Sequence, residues 1–138
     1  MTLMDHDAGL VTFETWADPE VDARAVTVDG AYSRIAWYPV LGATTWLVWG
    51  ALAGRLADEP SVDCALEDLA PPWVSHSPRV VAWSLERLEA YGLAVGFGDV
   101  WSVRRTCPPL VGRQLARVPS TVRAIHEVTF APANGAAS

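Results

Sequence analysis

The stretch that most constrains the fold runs from Ser75 to Arg105 and reads SHSPRVVAWSLERLEAYGLAVGFGDVWSVRR. Ser77 is a favourable helix N-cap, and Pro78 suits the first helical position, because the amide hydrogen that it lacks would have no helical partner there. Gly92 is a typical helix stop. The residues that recur at the inward spacing of an amphipathic helix are Val81, Ser84, Leu85 and Leu88. A helix beginning at Pro78 is therefore predicted.

A β-hairpin is predicted directly after this helix. Its apolar side chains alternate along two short runs, at Leu93 and Val95 and then at Trp101 and Val103. The tetrapeptide between the runs, Gly96-Phe97-Gly98-Asp99, contains glycines that permit the positive φ of a tight turn. Helix and hairpin together have the pattern of a recognition helix that leads into a wing.

The segment SPRVVAWSLERLEAYGLAV resembles the recognition helix and first wing strand of winged helix-turn-helix proteins. The wider run over residues 37–127, with YPVLGATTW before the helix and VRRTCPPLVGRQLARVPSTVRAIHE after it, resembles a family of uncharacterised actinobacterial proteins. The resemblance implies a winged helix-turn-helix fold, and the family brings no assigned activity.

The predicted fold class is α+β, mostly helical with a small β component. We expect a winged helix-turn-helix with an N-terminal β arm and two C-terminal helices. The predicted boundaries are residues 1–38 for the arm with its hairpin, 39–105 for the winged helix-turn-helix domain, 106–132 for the C-terminal helical extension and 133–138 for a disordered tail.

Within the arm, Leu10–Trp16 has the β-branched and aromatic content of a strand. Asp29-Gly30 lies between two alternating runs, which predicts a hairpin with strands near 24–28 and 31–37. The arm either packs on its own domain or reaches a second subunit, and the sequence leaves both alternatives open.

The first helix of the domain is predicted over Ala43 to Leu56, inside an uncharged run from Trp37 to Gly54. This run barely meets the minimum for a membrane span, and the usable helix is on the order of 21 Å long, short of the ~30 Å hydrocarbon core. We therefore expect a buried helix and no membrane span. Gly50 and Gly54 are expected to mark the close approach of a neighbouring helix.

Shorter elements follow on both sides of the central helix. SVDCALEDLA, residues 61–70, predicts an extended piece and then a short helix with Leu66 and Leu69 inward. After Pro108-Pro109, two further short helices are predicted. Their inward residues are Val111, Leu115 and Val118 in the first helix, and Val122, Ile125 and Thr129 in the second.

Composition indicates the redox state, the location and the assembly of the protein. Cys64 and Cys107 form no C-x-x-C pair, which favours two reduced thiols over a disulfide framework. Asp5 and Asp7 stand where a secretion signal would be basic, so we expect a cytoplasmic protein. Seven tryptophans and a first helix that is apolar on most of its circumference predict a homodimer, through that helix or through the C-terminal helices.

Catalytic and metal-binding patterns are weak. His76 lies between two serines without a nucleophile elbow around them. Cys64, His76, Cys107 and His126 contain no short chelating pair. The expectation is a protein that is not an enzyme and that uses no metal or cofactor.

Double-stranded DNA is the predicted partner, because the recognition helix of a winged helix enters the major groove. Its outward face is Arg79, Ala82, Trp83 and Glu86. We predict base contacts by Arg79 and Trp83. The predicted phosphate contacts are Ser77, Arg104, Arg105 and Arg113. Residues 101–138 hold five arginines and one acidic residue, against eight acidic residues and three arginines in residues 41–100.

A protein-interaction module is the alternative hypothesis. Glu86 and Glu89 would repel phosphate, and the predicted wing tip carries Phe97 and Asp99 in place of basic residues. An exposed Trp83 beside Ala82 is typical of an aromatic interface anchor. Burial of Trp83 in the core is a further interpretation that the sequence leaves open.

Overall fold

The computed structural model describes residues 10–70 and 78–130, and within these ranges the chain has an α+β fold. The six α-helices are α1 Pro19–Asp22, α2 Tyr38–Leu41, α3 Ala43–Asp58, α4 Pro78–Ala90, α5 Gly112–Arg117 and α6 Ser120–Thr129. The strands are β1 Val11–Thr15, β2 Val26–Thr27, β3 Ser61–Cys64, β4 Ala94–Phe97, β5 Val100–Val103 and β6 Thr106–Cys107. A π-helical turn, Ser33–Trp37, precedes α2, and a 3₁₀ helix, Leu66–Leu69, follows β3.

The main sheet is mixed and has the strand order β3-β1-β5-β4. β1 lies in the middle, antiparallel to β3 and parallel to β5. The predicted hairpin is confirmed: β4 and β5 are antiparallel, and Gly98 in their turn has a φ of 63°. Because β5 also pairs with β1, the hairpin is part of the sheet and does not project freely. The strand predicted over Leu10–Trp16 thus joins the same sheet as the hairpin.

The hairpin predicted around Asp29-Gly30 is wrong. Only β2 is extended there, and it pairs with β6 rather than with the residues after the turn. Residues 31–37 are helical, because Tyr32, Ala36 and Trp37 are all buried and their spacing places them on one side of a helix. Burial of these side chains overrides the local turn signal. The segment packs on its own domain.

Helices α3 and α4 pack against each other beside the sheet. α4 was predicted from its apolar spacing, and α3 from the uncharged run between Trp37 and Gly54. Trp49, Leu52 and Leu56 of α3 and Val81, Leu85 and Leu88 of α4 are almost fully buried. The expected neighbour at the α3 glycines is not found in the described part of the chain. A Cβ atom at Gly50 or Gly54 would meet nothing within 4 Å outside the backbone of α3. No helix in the described ranges is long and apolar enough to cross a membrane.

The predicted C-terminal helices form, but their inward faces differ from the expectation. Val122 is buried, whereas Val111 is 62% exposed and Thr129 is exposed. α5 has only six residues and buries none of them, so it cannot present a full apolar stripe. The two thiols, Cys64 and Cys107, are buried and unpaired, as expected.

Candidate functional site

The outer face of α4 is the candidate site. Arg79, Trp83 and Glu86 are exposed, and Trp83 leaves 53% of its surface open, so it is not a core residue. The expectation that Ala82 faces outward is wrong, because this side chain is buried. α4 packs against α3, β4 and the 3₁₀ helix, and these three neighbours cover a wider part of its surface than the predicted stripe. Ser77 lies outside the described residues.

Arg87, which was not among the predicted site residues, contacts most of this face. Its Nε donates to the carbonyl of Leu41 at 2.9 Å and its Nη2 to the carbonyl of Val40 at 3.0 Å, which caps the end of α2. Its guanidinium carbon lies 5.5 Å from the ring centroid of Trp83 and 5.6 Å from that of Tyr91. The i, i+4, i+8 spacing of the three residues was the available signal. The result is a fixed stripe that we call the Trp83 face: Trp83, Arg87 and Tyr91.

The two glutamates of α4 differ in their surroundings. Glu86 is exposed beside the Trp83 face. Glu89 turns to the sheet, where its Oε2 accepts the amide hydrogen of Gly96 at 3.1 Å. Because β4 is an edge strand, this carboxylate occupies a backbone donor that would otherwise be open to another strand. Glu89 therefore protects the sheet edge.

Arg104 has a structural role in place of the predicted phosphate contact. It is only 9% exposed, and its Nε donates to the carbonyl of Gly92 at 2.9 Å. Its Nη1 lies 3.4 Å from Oδ2 of Asp18, and its guanidinium lies on the ring of Trp16. Because its side chain is almost buried and its charge is paired with Asp18, Arg104 presents little guanidinium surface to a phosphate.

The other predicted phosphate-binding arginines, Arg105 and Arg113, are exposed. Arg117 and Arg123 are exposed as well, and Glu127 is the one acidic residue that follows Asp99 in the sequence. The amide of Arg104 donates to the carbonyl of Leu93, so Arg105 lies beside the C-terminal end of α4. Arg79 lies eleven residues before Ala90, the last residue of this helix, or about 17 Å along its axis. Arg79 and Arg105 therefore lie at opposite ends of α4.

The hairpin tip is apolar rather than basic. Phe97 is 71% exposed, the largest exposure among the aromatic side chains of the described residues. The carbonyl of Asp99 accepts the amide hydrogen of Thr12 at 3.1 Å, which ties the turn to β1. The turn therefore carries no basic side chain that could insert into a DNA groove, as a basic wing would.

A second polar cluster joins the π-helical turn to α6. The Tyr32 hydroxyl lies 2.8 Å from Nδ1 of His126 and 2.8 Å from the amide nitrogen of Leu110. Burial raises the pKa of Tyr32 to about 12. Burial, and then the positive charge of Arg24, lower the pKa of His126, whereas Glu127 acts in the opposite direction. The sequence carries no local signal for this cluster, because Tyr32 and His126 are 94 positions apart.

Metal-ligating side chains do not converge in the described ranges, where no group of three or more His, Cys, Asp or Glu residues could hold an ion. A groove of about 230 Å³ lies along the outer face of α3. Its lining residues are Val28, Asp29, Trp46, Leu47, Gly50 and Ala51. Apart from Asp29, their side chains are apolar or absent, so the groove can form apolar contacts but carries few polar or charged groups.

No known protein family matches the chain, and comparison with curated proteins and with solved structures found no significant match. The resemblance to winged helix-turn-helix proteins therefore rests on the pattern of elements and residues in this chain.

Proposed function

We propose that the protein is a cytoplasmic DNA-binding winged-helix protein and a transcriptional regulator, with α4 as its recognition helix. The observation that carries this proposal is the chain order α3, β3, 3₁₀ helix, α4, β4, β5, together with the exposed outer face of α4. This order is typical of a winged helix-turn-helix. The insertion of β1 between β3 and β5 departs from the expected pattern and makes the sheet wider.

Arg79 is the proposed base-reading residue. It is exposed in the first turn of α4, and the N-terminal residues of a recognition helix are those that reach base edges. An arginine there can donate two hydrogen bonds to guanine, and Trp83 one turn later can pack on a thymine methyl group. Arg105 and Arg113 remain as phosphate contacts, whereas Arg104 does not, because its guanidinium is engaged inside the protein.

Fluorescence anisotropy with duplex DNA over a range of salt concentrations tests this proposal. Binding should weaken steeply as salt rises, with a slope of about 0.9 on logarithmic axes for each phosphate neutralised. Arg105→Ala should lower that slope by about one unit without changing sequence preference. Arg79→Ala should relax the preference found by selection from randomised duplexes, at a cost of about 1–3 kcal/mol for the base pair concerned.

Arg55→Ala is the matched control, since Arg55 is exposed at the far end of α3 and has no proposed contact with DNA. The absence of duplex binding at low salt would overturn the proposal. Binding that Arg55→Ala weakens as much as Arg105→Ala would show that only the general charge of the protein matters.

The second candidate function is a protein-interaction module, and the Trp83 face favours it. A half-exposed tryptophan held beside a fixed arginine is the composition of an interface anchor. In this case a protein captured by the wild type should be lost with Trp83→Ala and kept with Glu86→Ala. Wild-type and Trp83→Ala proteins that recover the same partners would remove this alternative.

We also propose a homodimer, through the outer face of α3 or through the C-terminal helices. Trp16 and Trp46 are partly exposed and Trp83 is more so, which leaves considerable aromatic surface on a chain of 138 residues. Sedimentation at micromolar concentration should give twice the chain mass of 14.9 kDa. A single species at the chain mass would refute the dimer.

A further inference from the structure

The Tyr32 hydroxyl is placed between a donor and an acceptor. The backbone amide of Leu110 can only donate, so the tyrosine oxygen accepts that hydrogen bond over 2.8 Å. The one hydrogen of the hydroxyl is then left to donate to Nδ1 of His126, also over 2.8 Å. Donation of this hydrogen uses a lone pair on Nδ1, and the matching neutral ring carries its proton on Nε2.

This hydrogen bond lies where α6 packs on the body of the protein. The ring of Phe130, which follows α6, meets Tyr32 edge to face with centroids 4.7 Å apart, and it lies 5.2 Å from the ring of His126. Val122, one turn before His126, is the buried residue of α6. Among the described elements, α6 has its main packing contact with the π-helical turn that follows Tyr32. Docking of α6 thus depends on a small contact that includes an ionisable ring.

Taken together, the surroundings of His126 disfavour a positive charge on its ring. Burial, and then Arg24 in the loop after α1, lower the pKa of His126, and Glu127 on α6 raises it. On the π-helical turn, Arg34 donates to the carbonyl of Asp29 rather than to an acid. The Cys107 thiol below Tyr32 stays neutral because burial raises its pKa to about 12. The docked state therefore favours the neutral imidazole.

We propose that Tyr32 and His126 form a pH-dependent latch, which holds α6 on the body while the imidazole is neutral and releases it when the imidazole is protonated. Protonation places an N–H on Nδ1, so Nδ1 can no longer accept the Tyr32 hydroxyl hydrogen across the 2.8 Å contact. The hydroxyl hydrogen then loses this acceptor, and a new positive charge arises near Arg24. Both changes weaken the docked state and leave the undocked helix unaffected.

The sign of the effect follows from linkage. The pKa of His126 is lower in the docked state than its usual value of 6.5, so the docked state binds fewer protons than the undocked state. Docking is strongest above about pH 6.5, and its equilibrium constant falls by up to about tenfold for each pH unit below that value, until the docked pKa is passed.

Hydrogen exchange of the full-length protein, measured by mass spectrometry and corrected for the intrinsic pH dependence of exchange, tests the latch. Peptides that cover residues 120–130 should lose protection between pH 7.5 and pH 5. Peptides that cover α3 (Ala43–Asp58) should keep theirs and so report that the body has not unfolded. Unchanged protection of residues 120–130 over this range would overturn the proposal.

His126→Gln is the decisive variant, because a glutamine side chain can accept the Tyr32 hydroxyl hydrogen and does not titrate. Protection of α6 in this variant should be independent of pH, and an equal loss of protection in this variant would assign the effect to another group. In Tyr32→Phe, which keeps the ring and removes the hydroxyl, the pKa of His126 measured by NMR should move back toward 6.5. A pKa that does not move would exclude the hydroxyl from the latch.

Discussion

The guanidinium carbon of Arg104 lies 3.9 Å from the ring centroid of Trp16, at the point where the end of β1 meets the end of the hairpin. Asp18 and the carbonyl of Gly92 take two of its donors. Its own carbonyl accepts the indole hydrogen of Trp49 at 2.8 Å. One residue thus joins β1, α3 and the turn after α4.

Arg104→Ala should lower the free energy of unfolding by about 2–3 kcal/mol, because it leaves the Gly92 carbonyl without its donor and exposes the Trp16 ring. Urea denaturation followed by circular dichroism measures this change. Arg105→Ala is the matched control, since Arg105 is exposed and its loss should change stability by less than about 0.5 kcal/mol. Equal effects of the two variants would contradict the internal role of Arg104.

Gly96→Ala should destabilise the sheet by about 1–3 kcal/mol through overpacking. A Cβ atom at Gly96 would lie 3.0 Å from two ring atoms of Trp101, and this ring is buried in the cross-strand pair that the two residues form. Thermal unfolding monitored by circular dichroism tests this prediction. A melting temperature equal to that of the wild type would mean that the Trp101 ring can shift at little cost.

Gly50→Ala and Gly54→Ala should each stabilise the monomer by up to about 1 kcal/mol, because both glycines are inside a helix and the added methyl group meets nothing within 4 Å outside the backbone of α3. Denaturation at low protein concentration measures this effect. If the outer face of α3 is the dimer surface, the same variants should weaken self-association in sedimentation. Unchanged association would indicate that the C-terminal helices form the dimer surface instead.

Both thiols should react slowly in the native protein. Burial raises the pKa of the Cys107 thiol to about 12 and raises that of Cys64 as well, so little thiolate is present at pH 8. Labelling with a thiol reagent at pH 8 should be slow in buffer and fast in urea, with two groups modified per chain in urea. Rapid native labelling of Cys107 would show that β6 opens readily.

The sequence by itself determined the elements whose signals are local. The Val81, Leu85 and Leu88 spacing predicted α4, and the alternation around Gly96-Phe97-Gly98-Asp99 predicted the hairpin. The uncharged run from Trp37 to Gly54 predicted α3. In each case the residues that interact are within a few turns of one another, so their pattern is visible along the chain.

Only the tertiary structure decided the features that depend on distant residues. β1 entered the middle of the sheet, and burial of Tyr32 and Trp37 turned a predicted strand into helix. Arg104 looked like a phosphate contact because its sequence neighbours gave no hint of Trp16 or Asp18, which lie more than 80 positions away. The bond between Tyr32 and His126 joins residues with no common local pattern. These pairs form on folding, because the folded chain must remove apolar surface from water and also give each buried polar group a hydrogen-bond partner. Which residues meet both requirements depends on how distant parts of the chain pack together.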